Sequence, residues 1–284
     1  MKFALSSVLL ILVALFPPLA WGETREVKVG IFTTDPARIM DEGKVMDYLS
    51  RKVGVKFILI PMIGYEKSVE KLKNGEVNAG ILGSAPAYIS MSKGIAELIA
   101  RPEIRKSSVY YGYWMTLKDG GLKKIEDFKG KRFAYVDMFT SAGYLFPRAA
   151  IKAKGFDPDS FFGEVKFSNT HEAAIQMLLS GSVDGCAAKD TAYKKFIDTN
   201  IELKDRLNII EVGGPFPERT LAISKNVDPK IRETVKKTLL KMDSDPEGKK
   251  VLAETGRSRY VETTQTDFSA ISRILNILGP GNHN

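Results

Sequence analysis

The chain after residue 22 alternates between two hydrophobic periods. Short runs of apolar, β-branched residues predict buried strands, at 27–31, 55–60, 77–82 and 131–136. Helices are predicted between these strands, at 44–52 and 65–73. The evidence is apolar residues at helical spacing in the first segment and a terminating glycine after the second. Strands separated by helices indicate parallel sheets covered by helices, which is an α/β fold.

One helix–glycine–strand unit occurs in each half of the chain. Tyr65-Glu66 precedes Gly75-Glu76-Val77 at the same offset at which His171-Glu172 precedes Gly181-Ser182-Val183. Such units recur in many α/β proteins, so chance similarity is the alternative. The equal offsets, with one unit in each half, favour two analogous α/β lobes.

Two extended stretches follow the units. Residues 109–117 are rich in aromatic side chains, and residues 219–224 precede the closing helices expected at 228–241, 246–254 and 267–278. We interpret the two stretches as strands that cross between lobes. This predicts a first lobe of residues 23–113 plus 222–284 and a second lobe of residues 114–221.

The N-terminal segment has the features of a secretory signal peptide. Lys2 is followed by an apolar run, by Pro17-Pro18 and by Ala20-Trp21-Gly22, which has small residues at both positions that a signal peptidase reads. The alternative is a membrane anchor, but the run is shorter than the ~20 residues that a span needs. We therefore expect cleavage after Gly22 and a periplasmic protein.

The net charge indicates which class of partner to expect, and the cysteine content indicates whether a reactive thiol is expected. The net charge is +8, but the basic residues are scattered among acids and form no long blocks with interleaved aromatics. This argues against a nucleic-acid partner and is compatible with an anionic ligand. The single cysteine, Cys186, lies in an apolar stretch of small residues, which is typical of a buried packing residue.

Residues for catalysis are scarce. The chain has two histidines, His171 and His283, too few for a histidine metal cluster. It also lacks a Gly-x-Ser-x-Gly elbow, a Walker loop and a dinucleotide fingerprint. We expect no enzymatic activity, no metal and no cofactor; an enzyme acting through carboxylates alone is the alternative.

The strongest candidate site begins at Thr140-Ser141. These residues follow the predicted strand at 131–136 and open a helical segment that runs to Lys154, with Pro147 kinking or dividing it. A helix N-terminus offers free N–H groups, and the hydroxyls add donors, so an oxyanion fits there. The alternative is plain N-capping.

Two further side chains are candidates by position. His171 stands at the start of a predicted helix and could donate to the same anion, although a packed histidine is the alternative. Tyr65, at the matching position of the first unit, could lend its hydroxyl. The aromatic stretch at 110–114 is expected to be mostly core, with one or two rings lining a cleft.

These motifs resemble the substrate-binding components of phosphate, phosphite and phosphonate ABC importers, over nearly the whole chain after residue 22. The segments that carry the resemblance are Gly64-Tyr65, Gly75 to Asn78, Gly112 to Trp114, Asp137 to Pro147, His171-Glu172 with Val183-Asp184, and Asp245 to Gly248. The family's most specific mark is Ser-Thr-Ser-Gly, an aromatic residue, Leu, any residue and Pro. Here the sequence is Thr140-Ser141-Ala142-Gly143-Tyr144-Leu145-Phe146-Pro147, so Ala142 replaces one hydroxyl.

The resemblance implies a type II periplasmic-binding-protein fold, with two α/β lobes joined by two crossing strands. It implies a small phosphorus oxyanion (phosphonate, phosphite or phosphate) in the cleft between the lobes. Thr140, Ser141 and His171 would grip the oxygens, and Tyr65 and Tyr113 would close from the other lobe. The partner would be an ABC permease in the inner membrane, and the protein would be a monomer.

Departures from the family bear on the ligand. Members that bind an aminoalkyl phosphonate hold its ammonium with carboxylates. At the first such position this chain has Lys189-Asp190-Thr191, so Asp190 is an approximate match; at the second it has Pro217-Glu218-Arg219. Arg219 would repel an ammonium and could bind an oxygen, so we expect a ligand that carries no ammonium group. The alternative is that Glu218 or Asp190 pairs with the ammonium of an aminoalkyl phosphonate. A sensor subunit that reports to a membrane kinase is the alternative function.

Overall fold

The structure, a computed structural model, describes residues 26–33, 35–62 and 67–279. The predicted signal peptide, Tyr65 and His283 lie outside the described residues. Six strands form the first sheet: β1 (Glu26–Phe32), β2 (Lys56–Met62), β3 (Ala79–Leu82), β4 (Ala96–Ile104), β10 (Thr220–Ser224) and β11 (Arg257–Glu262). Five strands form the second: β5 (Val109–Leu117), β6 (Arg132–Tyr135), β7 (Glu164–Phe167), β8 (Gly185–Lys189) and β9 (Leu207–Pro217).

Helices connect the strands and cover both sheets. In chain order they are α1 (Pro36–Val53), α2 (Ser68–Lys73), α3 (Ser84–Ser92), α4 (Phe146–Ala153), α5 (His171–Leu179), α6 (Asp190–Thr199), α7 (Leu203–Arg206), α8 (Pro229–Leu240), α9 (Pro246–Glu254) and α10 (Ser269–Leu278). A π-helical turn, Ser141–Leu145, directly precedes α4. No helix in this described part of the chain is long and apolar enough to cross a membrane.

The two sheets have matching parallel halves. Their strand orders are β11-β4-β10-β3-β1-β2 and β7-β6-β8-β5-β9. The strands of the two repeat units, β3 and β8, occupy equivalent places: each has a parallel neighbour on one side and an antiparallel neighbour on the other. The predicted pair of analogous α/β lobes is confirmed.

The first helix begins earlier than its apolar spacing predicts. Asp35 accepts a hydrogen bond from the Ala37 N–H at 3.0 Å, and Pro36 starts the helix, whereas the pattern predicted a start at residue 44. Its first turn is mostly exposed, so that turn shows no apolar periodicity. The helix ends as expected at Gly54, whose φ of 75° is readily adopted by glycine.

The chain passes between the sheets at residues 105–108 and 218–219, which we call the crossing segments. The Glu218 N–H donates to the Ser108 carbonyl at 2.9 Å and ties the two segments together. All of β5 pairs with strands of the second sheet. The expectation that Tyr113 belongs to the first lobe is therefore wrong.

The C-terminal helix α10 contacts elements of both lobes. The Tyr88 hydroxyl of α3 donates to Ser272 Oγ at 3.0 Å, and Lys152 Nζ of α4 donates to the Leu278 carbonyl at 2.8 Å. Its apolar residues belong to a core cluster that runs from α3 to α4. The first-lobe assignment of residues 222–284 therefore omits the packing of α10 against the second lobe.

A buried arginine joins this C-terminal segment to a crossing segment. Arg101 of β4 donates to both carboxylate oxygens of Asp267, at 2.8 and 3.0 Å, and to the Ser108 carbonyl at 3.2 Å. Because Asp267 lies just before α10, the ion pair fixes where the helix departs from the first sheet. It also positions the backbone at one crossing.

Candidate functional site

The ends of the parallel strands in both sheets lead directly into helix starts. In open α/β sheets, ligands bind beyond the carboxyl ends of the strands, where such starts converge. In the first lobe β1 leads to α1 and β3 leads to α3. In the second lobe β6 leads to the turn at Ser141, β7 to α5 and β8 to α6.

Ser141 presents a buried hydroxyl at the start of its turn. The residue is 3% exposed, and its Oγ lies beside the Tyr110 hydroxyl without forming a well-shaped hydrogen bond to any described residue. The backbone N–H groups of Ser141, Ala142 and Gly143 have no acceptor among the described residues. The turn therefore offers a hydroxyl and several N–H donors at one place.

Thr140 is held differently from Ser141. Its hydroxyl donates to the Asp137 carbonyl at 2.7 Å and does not cap the turn. The hydroxyl proton of Thr140 therefore already forms a hydrogen bond within the loop. A ligand contact by Thr140 remains a prediction and would require the hydroxyl to turn.

The turn folds closely against strands of the second sheet. A side chain at Gly143 would lie 2.5 Å from Val136 Cγ2, so only glycine fits there. Ala142 is buried beside Gly112 of β5, where an added Cβ would lie 3.2 Å from the Ala142 methyl. The replacement of a family hydroxyl by Ala142 therefore removes a donor and leaves the close packing of the turn in place.

His171 is a neutral donor. Its Nδ1 accepts a hydrogen bond from the Lys189 N–H at 3.2 Å. Burial lowers the pKa of His171 well below its usual 6.5, and the positive charges of Lys189, Arg219 and Arg38 lower it further. The ring is thus neutral at pH 7, and the proton on Nε2 can be donated to an anion.

Three cations from three parts of the chain act on this histidine. Arg38 comes from α1 of the first lobe, Lys189 from the end of β8, and Arg219 from a crossing segment. Glu218 opposes them and pairs with Lys189 at 3.2 Å. Burial raises the pKa of Glu218, but the charges of Lys189 and Arg219 outweigh burial, so the pKa is lowered and the side chain stays ionised. The charges that act on His171 are all positive, which favours an anion beside it.

Tyr110 and Ser84 connect the lobes beside this cluster. Ser84 Oγ, at the start of α3, donates to the Pro217 carbonyl at 2.8 Å and shares a 2.9 Å hydrogen bond with the Tyr110 hydroxyl. The Lys189 ammonium lies 3.6 Å from the centroid of the Tyr110 ring. Sequence reasoning did not select these residues or Arg38 for the site, although Ser84 and Lys189 stand where a strand gives way to a helix.

Two predicted residues lie at α6: Tyr113 packs against the helix, and Asp190 is its first residue. The Tyr113 ring packs edge-on against Tyr193 with 5.6 Å between centroids. Asp190 is buried, and its carboxylate accepts from the Tyr111 N–H at 2.9 Å and from Lys194 at 2.7 Å. Both carboxylate oxygens of Asp190 are thus engaged within the protein. Arg219, by contrast, is half-buried beside the Ser141–His171 cluster.

The described residues offer neither a group that could hold a metal ion nor an exposed thiol. Within residues 26–33, 35–62 and 67–279, no group of three or more histidine, cysteine, aspartate or glutamate side chains could hold a metal ion. Cys186 is buried, and burial raises the pKa of its thiol. A protonated, buried thiol is a packing group.

Comparison with known proteins identifies a matching family and several proteins of similar structure. A family model described as "ABC transporter, phosphonate, periplasmic substrate-binding protein" matches residues 31–268. A probable ABC transporter phosphite binding protein, PhnD1 of Prochlorococcus marinus (strain MIT 9301), is 21% identical over 289 residues. That match covers 96% of this chain and 95% of PhnD1.

Solved structures share the architecture. PhnD1 of Prochlorococcus marinus in complex with methylphosphonate superposes with a TM-score of 0.73 at 16% identity, covering 90% of this chain and 99% of that chain. XAC2383 of Xanthomonas citri bound to chloride gives 0.76 at 15% identity, covering 89% and 99%. These likenesses confirm the type II periplasmic-binding-protein fold. The family model covers most of the chain, and the chain therefore belongs to the family of periplasmic substrate-binding proteins of phosphonate ABC transporters.

Proposed function

We propose that this protein binds a small phosphorus oxyanion (phosphonate, phosphite or phosphate) between its two sheets. The observation that carries the proposal is the buried Ser141 hydroxyl, which makes no well-formed hydrogen bond to any described residue and lies in a cluster that contains a neutral histidine donor and three cations. A buried hydroxyl without a partner costs free energy, so an acceptor from the ligand would offset that cost. The methylphosphonate held by PhnD1 supports the same ligand class.

The donors suit a tetrahedral oxyanion. Ser141 Oγ, the N–H groups that follow Thr140 and the Nε2–H of His171 would each donate to a ligand oxygen. Hydrogen bonds to a charged group contribute about 1.5–3 kcal/mol each. Four or five of them, after the cost of ordering the ligand, give about micromolar binding or tighter. The positive charges of Arg38, Lys189 and Arg219 add to the attraction, and Arg219 is retained as a predicted contact to a ligand oxygen.

The remaining assignments follow from the family. The mature protein would be exported by cleavage after Gly22, act as a monomer and hand its ligand to an ABC permease without chemical change. Thr140, Ala142, Tyr65, Tyr113 and Asp190 are retained as predicted members of the ligand environment. Nucleic acid plays no part in this function. The comparisons give no support to the sensor alternative.

Calorimetry with a panel of oxyanions tests the proposal. Phosphite, phosphate and methylphosphonate would be titrated into the mature protein, with sulfate as a tetrahedral control that lacks phosphorus. We expect at least one phosphorus oxyanion to bind with about micromolar affinity and more tightly than sulfate. Tighter binding of sulfate, or no binding of any phosphorus oxyanion, would contradict the proposal.

A further inference from the structure

A lysine of the protein occupies an ammonium-binding arrangement inside the site. Lys189 Nζ lies 3.6 Å from the Tyr110 ring centroid and 3.2 Å from Glu218 Oε2. The side chains of Lys189 and Glu218 are 16% and 11% exposed. An aromatic face beside a carboxylate, both largely shielded from water, is the usual way in which proteins bind an ammonium group.

This arrangement adjoins the oxyanion donors. The Lys189 N–H donates to His171 Nδ1, and the Tyr110 ring that supports the ammonium carries the hydroxyl next to Ser141. A ligand whose oxyanion contacts Ser141 and His171 would thus place any short substituent close to Lys189.

We propose that Lys189 fills the cation position of the site with its own ammonium and thereby selects oxyanions that carry no ammonium group. The proposal rests on the proposed function and specifies its ligand class. An aminoalkyl phosphonate would bring a second ammonium to a position that Lys189 already occupies, and Glu218 cannot pair well with both. The unpaired charge would be held out of water, which is strongly unfavourable.

The main selectivity then lies with Lys189 and not with Arg219, the residue that the sequence suggested. Arg219 was expected to repel an ammonium, and its charge does reach this cluster. Lys189, however, is the cation that lies on the Tyr110 ring and pairs with the carboxylate. Removing Lys189 would leave Glu218 and Tyr110 in place as an open ammonium site.

Lys189→Met tests this directly, because methionine keeps most of the aliphatic volume and removes the charge. In the wild-type protein we expect methylphosphonate to bind at least about tenfold tighter than 2-aminoethylphosphonate, a difference of about 1.4 kcal/mol. In Lys189→Met we expect the order to reverse by at least about tenfold, since the ligand's ammonium would pair with Glu218. The double variant Lys189→Met/Glu218→Gln should lose the reversed preference.

Lys236→Met is the matched control. Lys236 also pairs with a carboxylate, at 2.5 Å from Glu262, but it lies on α8 of the first lobe, and neither residue belongs to the site. This variant should keep the wild-type preference. If Lys189→Met keeps that preference as well while still binding methylphosphonate, the inference is overturned and the proposed function stands. If the wild type binds no phosphorus oxyanion, the proposed function itself fails.

Glu218→Gln provides a second test should Lys189→Met not fold, as judged by circular dichroism. It keeps the Lys189 ammonium and removes the carboxylate charge that it pairs with. We expect methylphosphonate to bind several-fold tighter than in the wild type and 2-aminoethylphosphonate to gain nothing. An equal gain for both ligands would overturn the inference.

Discussion

Replacing Ser141 by alanine separates a ligand contact from a structural cap. The Ser141 hydroxyl is buried and makes no well-formed hydrogen bond to the described residues, so the substitution removes no strong contact from the ligand-free protein. If the hydroxyl donates to a bound oxyanion, the substitution removes a charge-assisted hydrogen bond. A ligand contact therefore predicts weaker binding with no loss of stability, whereas a structural cap predicts lower stability with unchanged binding.

The magnitudes are large enough to measure. Loss of one hydrogen bond to a charged ligand costs about 1.5–3 kcal/mol, which weakens binding about ten- to hundredfold. The free energy of unfolding without ligand should not fall, and should rise by up to about 1 kcal/mol, because the substitution removes a buried hydroxyl that makes no well-formed hydrogen bond to the described residues. Ser90→Ala is the control, because the buried Ser90 hydroxyl donates to the Ala87 carbonyl at 2.9 Å. That variant should lose about 1 kcal/mol of stability and keep the wild-type affinity.

Urea unfolding would give the stability of each variant, and calorimetry with the tightest-binding oxyanion would give the affinity. Thr140→Ala should lose intermediate amounts of affinity and stability compared with Ser141→Ala and Ser90→Ala, since the Thr140 hydroxyl donates to the Asp137 carbonyl. A Ser141→Ala protein that is destabilised by about 1 kcal/mol but binds the oxyanion with wild-type affinity would refute the reasoning. Ser141 would then be a helix cap, and the site would lie elsewhere.

Three further predictions follow from the described contacts. Ligand should lower the radius of gyration measured by small-angle scattering; an unchanged radius at saturation would argue against closure of the cleft. Because the pKa of His171 is lowered in the folded protein, the unfolded chain binds more protons below pH ~6.5, so stability should fall as pH drops below that value, by up to about 1.4 kcal/mol per pH unit. Urea unfolding at several pH values should show this slope in the wild type and its loss in His171→Asn. Asp267→Asn should cost about 3 kcal/mol of stability in urea unfolding, since it leaves the buried Arg101 without its carboxylate; Asp198→Asn, in an exposed ion pair, should change stability by less than about 0.5 kcal/mol.

Hydrophobic periodicity predicted the frame of the fold well. The aromatic stretch at 109–117 coincides with β5, and the three closing helices were placed within two residues of their observed bounds. These elements have one face in a core, so their sequences carry a clear period. The strand β9 was missed, because exposed positions, two glycines and two prolines interrupt its alternation.

The site was predicted less completely than the fold. The sequence identified Ser141 and His171 because each stands at a helix start after a strand. It could not identify Arg38, Ser84 or Tyr110, whose relevance depends on contacts between distant parts of the chain. Tyr113 was assigned to the wrong lobe because an aromatic stretch does not show where the chain crosses; the crossing lies at residues 105–108, before β5 begins.

The arrangement of charges explains why binding and closure should be coupled. Arg38 belongs to the first lobe, Lys189 to the second and Arg219 to a crossing segment, yet all three act on His171. Bringing like charges together is unfavourable, and Glu218 offsets part of the repulsion through its interactions with Lys189 and Arg219. An oxyanion between the lobes would offset this repulsion most when the cations are closest, so it binds the closed arrangement more tightly than the open one. That difference in affinity is what shifts a two-state equilibrium toward closure.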